Sequence, residues 1–571
     1  MPYSAPAAEF RFLMDHIVGF DEVMASARFA EATPDTVNAI ITEAAKLNDE
    51  VIAPLQRVGD TQGAVLENGV VRTSPGFADA YRAIVEGGWV GMAGETDYGG
   101  MGLPFTLNAV FNEMISGAAL ALGLIPLLAQ GQIDALETHA SDAIKALYLP
   151  RLNSGEWSGT MNLTEPQAGS DVGALNSRAV PNGDGSYAIT GQKIFISWGD
   201  HDFGGNICHL VLARLPDGVP GTKGISLFMV PKFIPDETGE PGARNSLRVV
   251  SLEHKLGLHG SPTCVMAFEG ATGWLVGAEH GGMAAMFTMM NNARLQVGVQ
   301  GVGIAEGAYQ HALGYAMERK QGRSPLPDGT GTIVDFADVR RMLMEAKAEI
   351  FAARAIALAC AVAIDMEKAT GTPEWIARAA LLTPIAKSYG SDTAQKVAYI
   401  GVQVHGGMGF VEETGAAQYT RDARVLTIYE GTNGIQAMDL VGRKMMDGGE
   451  AACRLCEEIE AEAEAARATM PELAEAVWIA AETLRETIEW MVAQNMQDRF
   501  AGAVPFQMAF ARVLGAFYHL RAARAEGSNG PRRSLAGFYI ERLLPEHAAL
   551  VAQAKAGAAG LYALSPEDLA S

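Results

Sequence analysis

The chain has 571 residues, 49% of them hydrophobic and 19% charged. That is a globular composition, with apolar material for roughly three to four ordinary cores, and it excludes intrinsic disorder. The formal net charge of −23 opposes nucleic acid and anionic lipid, and it opposes an anionic small ligand unless local cations and helix N-termini reverse the field in a pocket.

The N-terminal MPYSAPAAEFRFLMDHIV has no basic segment leading into an apolar core, so it is not expected to be a secretory signal. Up to about residue 155, runs such as EVMASARFAEATPDTVNAIITEAAKLNDEVIAPL repeat apolar residues every three to four positions and predict helices. GWVGMAGETDYGGMGLP, 88–104, reads as loop. The longest apolar run, 117–129, reads as too short to cross a bilayer and is broken by Pro126, so a soluble protein without membrane insertion is expected.

From about 156 to 280 the pattern changes to short β-rich runs separated by turns: SYAITGQKIFIS, ICHLVLARL, GISLFMVPKFI and TCVMAFEG, with Asn182-Gly183-Asp184-Gly185 as a turn signal. An antiparallel sheet domain inserted in a mainly α chain is predicted. Helical periodicity returns at about 281 in two long, largely apolar runs joined by the Pro/Gly loop QGRSPLPDGTGT, and a last helical block covers 447–571. The expected domains are therefore 1–155 (helical), 156–280 (β), 281–446 (helical bundle) and 447–571 (extra helical domain).

The five cysteines read as reduced thiols of a cytoplasmic protein. Cys453 and Cys456 form a CxxC, but within a helical run and without a second pair or a nearby His they are expected to be helix-face residues, and no metal site is predicted.

Three segments depart from ordinary packing patterns. In MNLTEPQAGSDVGAL, 161–175, small and hydroxyl residues (Thr164, Gly169, Ser170, Gly173) leave backbone amides free to wrap a heterocycle or phosphate; a plain polar loop would look the same. In QVHGGMGF, 403–410, glycines allow close approach of a flat or anionic group, though a tight interhelical loop needs them as well, and no Rossmann fingerprint is present. In RDARVLTIYEGTNGIQ, 421–436, Glu430 sits between apolar and small residues. In a dry pocket its pKa would rise and make it a stronger base; a solvated Glu at a helix start is the plain alternative.

Together TEPQAGSD, QVHGG and YEGT, in this order, resemble the acyl-CoA dehydrogenase family over roughly residues 35–446. GWVGMAGETDYGGMGLP and KLGLHGSPTCVMAFEG add to the likeness. The N-terminus and the block after 447 resemble a longer subgroup that includes the 3-methylmercaptopropionyl-CoA dehydrogenases of dimethylsulfoniopropionate breakdown. The resemblance implies an FAD enzyme that oxidises an acyl-CoA to its 2-enoyl-CoA, Glu430 abstracting the α proton and flavin N5 accepting the β hydride.

By the same resemblance Met161, Leu163 and Thr164 line the flavin, with Phe195 and Ser197 against its other side where many relatives carry Trp-x-Thr. Gly169 and Ser170 belong to the flavin loop, and Ser170 also meets the CoA or FAD phosphate region. Arg319, Gln403, Gly406, Gly407 and Thr432 are implied flavin contacts, while Asn291, Arg294 and Gly431 are implied on the substrate side. Arg319 and Gln403 imply a homodimer or dimer of dimers, and an electron-transfer flavoprotein is the implied acceptor. QGRSPLPDG after Arg319 departs from the family's Phe-Gly pattern. A straight-chain short or medium acyl-CoA is the nearest alternative substrate; an acyl-CoA oxidase or a non-catalytic helical scaffold stand further off.

Overall fold

The computed structural model describes residues 3–527 and 530–571. Two compact units form, Glu43–Ala293 and Met1–Thr42 with Arg294–Ser571.

In the unit Glu43–Ala293, the helix Phe105–His139 is apolar on all sides because it is covered on all sides: almost every residue from Phe105 to Leu136 is buried. Pro126 lies within it, and Ala119 leaves helical geometry at φ −158°, ψ 86°. The apolar run at 117–129 is thus part of a 35-residue helix, long and apolar enough to cross a membrane by length and composition, contrary to the reading that it is too short; 94% of its most apolar window is buried within the protein. One other described helix, Met496–Glu526, passes the same length and composition test with 72% of its window buried. A hairpin, Val65–Glu67 with Val70–Arg72, interrupts the predicted helical stretch. Its signal was Asn68-Gly69, two residues with positive φ (52° and 77°) that suit a primed hairpin turn.

The large sheet orders its strands Leu247–Leu252, Thr263–Val276, Tyr187–Ser197, Arg178–Pro181, Asn206–Arg214 and Trp157–Asn162. Ile225–Pro231 pairs with both Thr263–Val276 and Asn206–Arg214, which closes the middle strands into a barrel-like ring around Ile189, Val211, Phe228, Met266 and Phe268. Most pairings are antiparallel as predicted, but Trp157–Asn162 lies parallel to Asn206–Arg214, with Met161 opposite Leu210. The long connection between those two strands, which holds the TEPQAGSD loop, permits a parallel return that a hairpin would not.

The second unit is helical, built on Ala337–Thr370, Pro373–His405 and Met496–Glu526. The 447–571 block is bound into this bundle by buried polar contacts. Arg512 Nη1 donates to both Glu349 oxygens at 2.7 Å, Tyr389 donates to Glu349 at 2.5 Å, and Gln507 Nε2 donates to the Pro384 carbonyl at 2.8 Å. Cys453 and Cys456 lie on the helix Glu450–Ala466, and all five cysteines are free thiols.

Candidate active site

The segment Tyr429-Glu430-Gly431-Thr432 makes a sharp turn into the helix Asn433–Asp439. Glu430 and Gly431 are both left-handed (φ 56° and 82°), a conformation that costs a non-glycine residue about 1–2 kcal/mol. Thr432 Oγ1 caps the helix by accepting from Ile435 N at 3.2 Å, and Gln436 Nε2 donates to the Glu430 carbonyl at 3.1 Å. At Gly431 a Cβ would fall 2.8 Å from Gln436 Nε2. The turn is therefore over-determined, which is what allows strain at Glu430 to persist.

Glu430 is half-buried as a residue, but burial dominates its carboxyl group and raises its pKa to about 7, against the opposing pull of the Arg294 and Lys387 charges. Arg294 Nη1 lies 3.4 Å from Asp439, whose other oxygen meets Arg443 at 2.5 Å. Lys387 is fully buried and donates to Asn433 Oδ1 at 2.8 Å, while Asn433 Nδ2 donates to Asp392 at 2.8 Å. Burial pushes Lys387 down to about 8, resisted by Glu430 and Asp392. It pushes Asp392 up to about 6, resisted by the Asn433 hydrogen bond and by Lys387. Tyr429 donates to Gln300 at 2.5 Å beside this cluster. A carboxylate poised near neutrality with cations around it can take a proton from a weak carbon acid and tolerate the negative charge that develops.

In the unit Glu43–Ala293 the predicted flavin residues gather where Trp157–Asn162 runs into its loop beside Tyr187–Ser197. Met161, Leu163, Thr164 and Ser197 are half-buried; Gly169 and Ser170 are exposed. A buried ion pair holds this corner. Lys193 Nζ donates to Glu165 at 2.8 Å and to the Leu163 carbonyl at 2.9 Å, and Glu165 also accepts from Ser177 Oγ at 2.6 Å and Asn176 N at 2.7 Å. Burial alone would raise Glu165, but Lys193 and these donors outweigh it and hold the carboxyl at about 2.

Against Thr263–Val276 the strand register shifts between Cys264 and Met266, a bulge opposite Ile194 and Phe195. Phe195 has φ 61° and is 59% exposed. An exposed aromatic residue on strained backbone, next to Ile194 whose N–H donates to the Thr164 carbonyl at 3.0 Å, suits a flat polar heterocycle such as the implied flavin.

Thr432 and Gly431 lie in the turn with Glu430, and Arg294 acts on the same carboxyl group. Asn291 is exposed on the helix Gly282–Glu318, and Arg319 is exposed just past its end, with its carbonyl accepting from Ile333 N at 2.8 Å. Gln403, Gly406 and Gly407 are exposed, and a Cβ at either glycine would meet no atom within 4 Å. Gly409 differs: its Cβ would fall 2.3 Å from the Val402 carbonyl, so packing within the fold requires a glycine there. Lys387, Asp392, Asn433, Gln436, Glu165 and Lys193 were not identified from sequence. The one available signal was a lysine inside an otherwise apolar helical run, LLTPIAKSYG.

Four family models match the chain: "Acyl-CoA dehydrogenase, N-terminal domain" over residues 35–156, "Acyl-CoA dehydrogenase, middle domain" over 160–271, "Acyl-CoA dehydrogenase, C-terminal domain" over 280–446 and "Acetyl-CoA dehydrogenase C-terminal like" over 455–565. The chain is 46% identical over 524 residues to a 3-methylmercaptopropionyl-CoA dehydrogenase of Ruegeria pomeroyi, covering 89% of this chain and 88% of that protein. It is 39% identical over 420 residues to a butyryl-CoA dehydrogenase of Syntrophomonas wolfei, covering 71% and 67%. Its fold matches the structure of Caenorhabditis elegans ACDH-11 in complex with C11-CoA at a TM-score of 0.80 and 19% identity, over 95% and 92% of the two chains.

Proposed function

The chain belongs to the acyl-CoA dehydrogenase family of flavin oxidoreductases, and we propose that it oxidises 3-methylmercaptopropionyl-CoA to its α,β-unsaturated thioester with FAD, Glu430 being the base. The observation that carries the role of Glu430 is its carboxyl group, raised to about 7 by burial and held at a strained turn between cationic neighbours. An α C–H is a weak acid until its thioester carbonyl is polarised, so a base near neutrality is matched to the task. Glu430 takes the α proton, and its own backbone N–H would donate to the thioester oxygen as enolate character develops.

Bound FAD supplies the acceptor for the two electrons leaving the β carbon. The residues that would hold it are Met161, Leu163, Thr164, Gly169, Ser170, Phe195 and Ser197, with Thr432 beside the base. Arg319, Gln403, Gly406 and Gly407 would reach the flavin of a second copy of the chain in a homodimer or dimer of dimers. Their exposure, and that of Phe410 at 90%, supports this reading. Ser170, Asn291, Arg294 and Gly431 would serve the CoA thioester, Arg294 supplying positive charge in an acidic protein. An electron-transfer flavoprotein is the proposed acceptor in turn. The free thiols support a cytoplasmic location.

The thioether substrate is favoured by the extent of likeness to the Ruegeria enzyme; the likeness to a butyryl-CoA dehydrogenase supports a straight-chain short acyl-CoA as the second reading. An anaerobic flavin-reduction panel decides between them. The thioether substrate should bleach the flavin with the highest kcat/KM, and a clear preference for butyryl-CoA would overturn that choice.

A further inference from the structure

We propose that Lys387 is a positioning residue for Glu430: its buried ammonium, fixed by Asn433, sets the charge state of the catalytic carboxylate. The inference rests on the reading of Glu430 as the base.

Lys387 lies on the helix Pro373–His405 with no exposed surface. Asn433 Oδ1 accepts from it at 2.8 Å. Asn433 begins the helix that follows the Glu430 turn, three residues along the chain from the base. The other end of the Asn433 amide is committed: Nδ2 donates to Asp392 at 2.8 Å, Ser391 Oγ at 3.1 Å and the Ser388 carbonyl at 3.4 Å. Oδ1 accepts from Lys387 and, at 3.2 Å, from Ser391 Oγ, both on the same helix, so the amide is a fixed strut between the lysine helix and the turn that carries the base.

The charged groups around Glu430 differ in how far they are compensated. Arg294 faces Asp439, which Arg443 shares, and Lys444 acts electrostatically on that same group. Lys387 is hydrogen-bonded to a neutral amide instead. Asp392, five residues further along the helix, contacts the opposite end of that amide, and Tyr429 is turned to Gln300. Arg294 still has the larger effect on Glu430 and opposes the charge of Lys387, but the field of Lys387 acts on Glu430 and Asp392 as well, and these two carboxyls are the groups that resist its loss of charge.

A cation beside a buried carboxyl favours the carboxylate, so its removal must raise the pKa of the base. The test is the pH dependence of kcat/KM for anaerobic flavin reduction by the best acyl-CoA of the panel, in holoenzyme. Lys387→Met should move the acid limb upward by about one unit, a roughly tenfold loss at pH values below the wild-type limb. Lys387→Arg, which keeps the charge, should return the limb toward its wild-type position. A lysine needed for packing alone would lower the rate evenly across pH.

Should Lys387→Met fail to hold flavin, Asn433→Asp carries the test. It keeps the ammonium and compensates it with a new carboxylate, so it too should shift the limb upward. A limb that stays in place in flavin-bound Lys387→Met, or in Asn433→Asp where the first variant does not load, overturns the proposal. Normal bleaching by Glu430→Gln would instead overturn the assignment of the base, so the two failures are distinguishable.

Discussion

Gln436 donates its side-chain amide to the backbone carbonyl of Glu430 at 3.1 Å, across a turn in which Glu430 has φ 56°. The bond holds the base in a conformation it would otherwise leave. Glu430→Gln keeps the shape and the cap while removing the proton acceptor. Flavin content and melting temperature should match the wild type, and flavin bleaching by acyl-CoA should fall by at least about 1,000-fold, the scale expected when a group acting directly in the chemical step is lost. Ordinary bleaching rates in stopped flow would refute the assignment.

The pH profile follows from the same carboxyl group. Its pKa in the folded protein is raised to about 7 from 4.5 by burial, so the base is protonated and inactive below that value. kcat/KM, which reports the free enzyme, should rise tenfold per pH unit up to about pH 7 and then level. The sign for stability is opposite to that of an ordinary salt-bridged carboxylate: a raised pKa favours folding at low pH, and that advantage is lost as pH rises through about 7. An acid limb near the free-glutamate value of 4.5 would show that the carboxyl is hydrated.

Phe195 shows how function is bought with strain. Its φ of 61° is unfavourable for a bulky residue, and the residue is 59% exposed, so little burial compensates. Phe195→Asn, a residue that tolerates the left-handed region, should raise the melting temperature of flavin-free protein, corresponding to about 1 kcal/mol. The same variant should weaken FAD affinity at least tenfold, read from flavin fluorescence. Unchanged affinity would remove the ring from the cofactor site.

Glu165 and Lys193 are buried together, and losing one partner leaves the other uncompensated. Glu165→Ala should destabilise by about 3–5 kcal/mol and loosen the Leu163–Thr164 corner. Because Glu165 is held at about 2, its contribution is fully present above 4.5 and is lost as pH falls toward 2. Denaturant titrations at pH 7 and pH 3 should therefore show a smaller difference between variant and wild type at the lower pH. An equal difference at both would contradict the pairing.

What could be read from the sequence were groups whose chemistry is local. Glu430 between Tyr429 and Gly431 announced a dry carboxylate, and alternation in SYAITGQKIFIS announced a strand. The groups that tune them were hidden because they arrive from distant segments. Lys387 reaches the turn from a helix more than 40 residues earlier (|i−j| = 46 to Asn433), and Glu165 meets Lys193 across 28 residues. The parallel pairing of Trp157–Asn162 is not legible in the sequence, since alternation reveals a strand but not its direction. The reach of the helix around Pro126 is hidden in the sequence because burial on every side tolerates a proline and a non-helical Ala119 where periodicity alone implies an end.

The 447–571 block is expected to be inseparable from the rest of the bundle. Arg512 brings a buried cation to Glu349, which Tyr389 and Lys396 also contact, on the same helix that carries Lys387. Arg512→Met would leave Glu349 short of its strongest partner and should cost about 3 kcal/mol or more. Pairing it with Glu349→Met removes the stranded charge, so the double variant should be more stable than Arg512→Met alone, in a double-mutant cycle measured by denaturant unfolding. If the single variant loses stability but keeps its kcat/KM, the cluster is a fastening only. A parallel fall in flavin reduction at temperatures well below unfolding would show that the helix Pro373–His405 needs this clasp to present Lys387 and Asp392 to the turn at Glu430.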